Sequence, residues 1–327
     1  MSGFRRLPGP IDRFHLPITR LQLAAKPQQR IALLGLAGGL LAGAALWFRS
    51  SNLVKELTWR RASLAGLQQA VAQHPDDAVA RYYLAERLRE AGRTGEARAA
   101  YSAALRIDPD SARAHLALGE LLRQLGELDG AQTNLEAAAR LAPDSAQAHI
   151  ELGKLYWDQL NVADAAAQFQ RTAALDPRSP RPWYRLAVCY ARTQRIKLAI
   201  SAARRSVALG GGARCRTALG ELLPYRGDPA EAKSTLESAV KADPRYGPAL
   251  ALLGRWLFLF STFPSDHTRA ERLLEKAARV PATEPGQIYS ALGQIYASEG
   301  KLDRAAAALE NAMLLAPNDE PACYALM

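Results

Sequence analysis

The 327-residue chain is 49% hydrophobic and only 7% aromatic, with Ala and Leu dominant, a composition that favours an all-helical protein. Its three cysteines (Cys189, Cys215 and Cys323) have no paired spacing, which argues against a disulfide framework or a cysteine zinc site. The net charge of +10 is concentrated: residues 1–72 hold ten Lys/Arg against two acids and the remainder holds 32 against 30, so the basic excess points to anionic lipid near the N-terminus and not to nucleic acid.

Residues 1–30 form a basic, Pro-containing tail. From Ile31 to Phe48 runs an uncharged stretch, IALLGLAGGLLAGAALWF, flanked by Arg30 and Arg49 and ending in the aromatic pair Trp47 and Phe48. At about 1.5 Å per residue such a segment spans roughly 27 Å, close to a bilayer core, and it has no polar stripe, so a transmembrane helix over 31–48 is expected. A cleaved signal peptide is the alternative, because Ala42-Gly43-Ala44 has the form of a cleavage site. Against it, the preceding tail is long for a leader and the apolar run continues past the site. Gly35, Gly39 and Gly43 stand four residues apart along one face, a small-residue ridge suited to close packing against another membrane helix, a partner's or that of a second copy. Cations on the two flanks balance within twenty residues, and Arg5 and Arg6 tip the expectation toward the tail inside. The expected placement is single-pass in a bacterial inner membrane, with the rest of the chain outside the cytoplasm.

Residues 49–77 read as a linker and an irregular leading helix whose apolar stripe is Leu64, Leu67 and Val71. An internal repeat then takes over. The pairs Leu84-Ala85, Leu118-Gly119, Leu152-Gly153, Leu186-Ala187, Leu219-Gly220, Leu253-Gly254 and Leu292-Gly293 recur at intervals of 34, 34, 34, 33, 34 and 39 residues. Ala97, Ala131, Ala165, Ala199, Ala232 and Ala305 follow the small residue at a constant distance, and Ala270 is displaced by an insertion. Most units end in a Pro. Small residues let paired helices approach closely, Pro punctuates the hairpins, and Gly92, Gly126, Gly227 and Gly300 sit between the helices of their hairpins. Two units depart from the pattern: one ends in Gly210-Gly211-Gly212, and the next carries Pro224 inside its first helix. A third holds the cluster Trp256, Phe258, Phe260 and Phe263, of which Phe260 and Phe263 are the candidates for exposed contacts.

These spacings resemble the tetratricopeptide repeat family, with seven copies over 78–319 and a truncated terminal helix over 320–327. The resemblance implies an all-α solenoid of about seven hairpins, here carrying one N-terminal transmembrane helix, that binds proteins and not a fixed ligand. Such arrays usually bind through a concave face lined by first-helix residues. In this chain those positions are Tyr82, Glu86, Arg89, Glu120, Arg123, Lys154, Trp157, Arg181, Tyr184, Arg185, Glu221 and Tyr225. Aromatic rings and guanidinium groups at such positions are the usual anchors of a recognition groove. The family's clamps for chaperone tails use Lys, Arg and Asn, and no Asn stands here.

No phosphate loop, dinucleotide turn, HExxH or nucleophile elbow occurs, so no catalysis, cofactor or metal is expected. His115 and His149 share one repeat position, taken by Trp183 in the fourth unit, which favours packing over ligation. Carboxylates are expected as solvated charge on exposed faces. The sequence therefore reads as a membrane-anchored scaffold or assembly subunit binding the proteins of a membrane complex, with lipid at its basic flanks. The alternatives are a non-catalytic accessory module of a membrane enzyme complex (a glycosyltransferase, peptidase or synthase) and a periplasmic or secreted repeat protein with a cleaved signal.

Overall fold

The computed structural model describes residues 52–280 and 285–315, and among them all regular structure is helical. In chain order the helices are α1 (Asn52–Trp59), α2 (Leu64–Gln73), α3 (Ala78–Glu90), α4 (Thr94–Ile107), α5 (Ala112–Gln124), α6 (Leu128–Leu141), α7 (Ala146–Asp158) and α8 (Val162–Leu175). They continue as α9 (Pro180–Arg192), α10 (Ile196–Ala208), α11 (Ala213–Leu222), α12 (Pro229–Ala242), α13 (Gly247–Phe260), α14 (Pro264–Ala278), α15 (Pro285–Ser298) and α16 (Leu302–Leu315). The described residues divide into two compact units, one ending at Ile107 and one beginning at Asp108.

In the first unit α3 and α4 make one hairpin, and both α1 and α2 pack on α3. The leading segment is thus two helices and not one irregular helix. Ser63 is extended (φ −72°, ψ 163°), its side chain accepts the Gly66 N–H at 3.2 Å, and this cap restarts the chain as α2. Asp77 caps α3 in the same way, taking the Val79 and Ala80 N–H groups at 3.0 Å each. Its carboxylate is buried, which is costly unless it is paired. Lys55 at 3.4 Å supplies the counter-charge and the Trp59 indole N–H, also at 3.4 Å, a further bond.

In the second unit six hairpins follow one another, α5/α6 to α15/α16, and each second helix also packs against the first helix of the next hairpin. Close approach within a hairpin depends on the small residue of the Leu-small pair. A Cβ on Gly119 would lie 2.6 Å from Leu135 Cγ, and one on Gly153 would lie 2.8 Å from the Phe169 ring. The same holds for Gly220 against Leu236, Gly254 against Leu274 and Gly293 against Leu309. In the α13/α14 hairpin the facing Leu comes four residues later than in the others, so the insertion adds about one helical turn and keeps the packing face.

The turn inside most hairpins needs one left-handed residue. Gly92, Gly126, Gly227 and Gly300 supply it with φ between 73° and 85°. In the α7/α8 and α9/α10 hairpins the same place is held by Leu160 (φ 62°) and Gln194 (φ 58°), which glycine spacing alone does not reveal. Pro224 has no N–H to offer the Gly220 carbonyl, so α11 stops at Leu222 and a 3-10 turn, Leu223–Arg226, replaces its last α-helical turn.

No helix among the described residues is long and apolar enough to cross a membrane. The segment 31–48 with Gly35, Gly39 and Gly43, the tail 1–30 and the terminal 320–327 lie outside the described residues.

Candidate partner-binding groove

The first helices present the candidate side chains in three groups. Glu86 on α3 accepts the Tyr101 hydroxyl of α4 at one carboxylate oxygen, and Arg89 of α3 reaches the other at 2.9 Å. Tyr82 closes the cluster, its ring centroid 5.1 Å from Tyr83 and 5.9 Å from Tyr101. Burial first, and then the Glu86 bond, pushes the Tyr101 hydroxyl well above its ordinary pKa, and the bond to Glu86 holds Arg89 even more firmly as a cation. Glu86 is thereby engaged at both oxygens inside its own hairpin.

The second group lies on α5 and α7. Arg123 reaches Asp158 at 2.7 Å and Glu151 at 3.6 Å, and Lys154 reaches Glu151 at 2.6 Å. Gln147 donates to both Glu120 and Glu151, at 3.2 and 3.1 Å. The network brings Glu120, Arg123 and Lys154 together, but around a residue that the repeat pattern did not single out. Glu151 is 3% exposed, so it is not the solvated charge expected of the carboxylates; two cations and an amide compensate its burial.

The third group surrounds a cavity of about 650 Å³ between α7, α9 and α11, walled by Trp157, Val188, Arg192, Glu221, Leu222 and Tyr225 among others. The Arg192 guanidinium sits 5.5 Å over the Trp157 ring. Tyr225, carried on the 3-10 turn that Pro224 enforces, is 75% exposed at the rim. Trp157, Glu221 and Tyr225 are thus brought together. Arg181, Tyr184 and Arg185 are not part of the wall: they lie in the first two turns of α9, whereas the cavity takes its last two. Tyr184 stands among Arg185, Arg214 and Tyr246, and burial raises the pKa of its hydroxyl. Arg192 was not singled out by sequence; its signal is its repeat position, the same as that of Tyr225.

Other polar groups are engaged in packing. The Nε2 atoms of His115 and His149 donate to the Pro109 and Pro143 carbonyls, each at 3.0 Å, and both Nδ1 atoms contact a side-chain amide on the following helix. Burial pushes the Cys189 thiol up to about 11, away from nucleophilic use. Among the described residues no cluster of His, Cys, Asp and Glu has the arrangement of a metal site.

Models of the tetratricopeptide repeat match residues 61–115, 88–155, 150–214 and 286–319, more than half of the chain. The chain belongs to the tetratricopeptide repeat family. No curated protein matches it. Similar solved structures include a tetratricopeptide repeat protein from Parabacteroides merdae, with TM-score 0.58 and 17% identity over 80% of this chain and 97% of that one. Another is pilF of Pseudomonas aeruginosa, with TM-score 0.56 and 17% identity over 65% of this chain and 95% of that one. A third, from the APC/C hetero-tetramer Cut9–Hcn1, has TM-score 0.61 and 17% identity over 80% of this chain, which spans about half (51%) of that one. At such identities the likeness is one of fold. The tetratricopeptide repeats make this chain a protein–protein interaction scaffold.

Proposed function

We propose that the chain is an assembly subunit that holds a protein partner beside a membrane, with the cavity between α7, α9 and α11 as its docking point. The observation that carries this reading is the convergence of Trp157, Arg192 and Tyr225 on one open cavity. Rigid aromatic rings and a guanidinium around a concavity are the groups that dominate binding energy at protein interfaces. The apolar segment Ile31–Phe48 supplies the anchor in this reading. The ridge of Gly35, Gly39 and Gly43 supplies a second contact, to a partner's membrane helix or a second copy. The repeats then stand outside the cytoplasm, at a bacterial inner membrane.

The test is co-purification from gently solubilised membranes of the full chain and of the double variant Trp157→Ala, Tyr225→Ala. Partner recovery is expected to fall at least about tenfold, the effect of removing two interface anchors, with helical content and melting unchanged. The exposed Tyr225→Ala alone, which does not threaten the fold, is expected to show part of the loss. Wild-type recovery with the folded double variant would remove the cavity from the binding site.

A further inference from the structure

From 177 to 220 the sequence carries ten Lys/Arg and no Asp or Glu, whereas 108–176 carry five Lys/Arg against eleven acids. Over the whole repeat region the two blocks nearly cancel. The block forms α9, α10 and most of α11. Some of its cations are committed within the fold, Arg204 to Glu231 at 2.6 Å and Arg216 to the Gly211 carbonyl at 2.8 Å.

The arginines on its first helices are different. Arg181, Arg185, Arg192 and Arg214 make no ion pair among the described residues. By contrast Arg123 and Lys154, on the preceding first helices, are closed by Glu151 and Asp158. Arg192 lies on Trp157 in the cavity wall, and Arg185 and Arg214 flank Tyr184. One exposed guanidinium contributes little, but several without counter-charge beside a concave, aromatic-walled cavity sum to a field that collects an anion.

We propose that this face takes an acidic, extended polypeptide segment, its carboxylates on Arg181, Arg185 and Arg214 and one apolar side chain in the cavity beside Trp157 and Tyr225. The proposal rests on the groove reading above and names the chemistry of its partner. A polypeptide fits better than nucleic acid or a bilayer for two reasons. The basic block is followed at once by Glu221 in the cavity wall and preceded by acid-rich hairpins, so a long uniform polyanion would run into like charge. A flat lipid surface has nothing to place in the cavity, whereas a peptide can alternate carboxylates with an apolar side chain.

The experiment measures fluorescence anisotropy on the full 327-residue chain. The probes are a labelled Asp/Glu-rich peptide with a central Phe, its Asn/Gln counterpart and its Lys counterpart. An oligothymidylate and phosphatidylglycerol–phosphatidylcholine vesicles serve as competitors. The acidic peptide is expected to bind at least about tenfold more tightly than the amide peptide at low salt, and to lose that advantage as salt rises. The variant R181Q/R185Q/R214Q is expected to abolish the difference with unchanged melting, while Tyr225→Ala weakens the Phe peptide more than one with Ala in its place. Equal affinity for acidic and amide peptides overturns the proposal, as does tighter binding of the oligonucleotide or vesicles, or a salt-sensitive self-association that occupies the face. If charge proves immaterial but the Trp157/Tyr225 double variant still loses its partner, the groove stands and the acidic ligand falls. If the arginine variant loses the acidic peptide while the double variant keeps its partner, the cavity assignment falls instead.

Discussion

Phe169 shows how one side chain sets the spacing of a hairpin. It is 1% exposed and lies where a Cβ on Gly153 would come within 2.8 Å of its ring, so α7 and α8 touch through the missing side chain. Gly153→Leu is expected to destabilise the fold by about 1–3 kcal/mol or more, because neither the ring nor the opposing backbone has space to retreat. Urea titration of both proteins checks this, and an unchanged midpoint would mean that the ring leaves the interface at no cost. The recurrence of Gly after Leu was legible in the sequence, since close helix packing needs a small residue at a fixed repeat position. Its facing residue was not, because Leu135, Phe169 and Leu236 look alike in any apolar stripe. Glu151 was missed for a related reason: a carboxylate in a polar stretch reads as solvated until the cations that bury it are in place.

At the scale of the element, the hairpin turn is the feature the local pattern under-reads. Four hairpins carry Gly at the left-handed position, and Leu160 and Gln194 adopt the same backbone conformation without its freedom. A Cβ residue in that region costs about 1–2 kcal/mol, of which glycine's larger loss of chain entropy offsets part. Leu160→Gly is therefore expected to raise stability by up to about 1 kcal/mol, more so because the Leu160 side chain is 69% exposed and gives up little packing. A lowered midpoint in thermal or urea unfolding would show that the leucine makes a contact worth more than its backbone strain. Pro224 acts in the opposite sense, since its effect on α11 follows from its own chemistry. What needed the structure was the consequence, a 3-10 turn that places Tyr225 at the cavity rim. Within the aromatic cluster Phe260 and Phe263 are exposed, at 55% and 67%, while Trp256 and Phe258 pack on the core.

At the scale of the whole molecule, the apolar segment Ile31–Phe48 predicts behaviour that fractionation checks. The intact chain is expected to sediment with membranes and resist alkaline carbonate, and a variant lacking 31–48 is expected to be extracted. Carbonate release of the intact chain would overturn the anchor. The sequence by itself determined the helical hairpin fold, because a repeat of about 34 residues, with Leu-small pairs and closing prolines, is a local pattern that each unit satisfies against its chain neighbours. It did not determine which charges are available to a partner. Arg123 and Asp158 are 35 positions apart and 2.7 Å apart in space, and only the stacking of α5 on α7 makes them a pair. The arginines of α9 and the start of α11 have no such neighbour among the described residues, and that contrast comes from tertiary packing because ion pairs depend on distance through space and not along the chain.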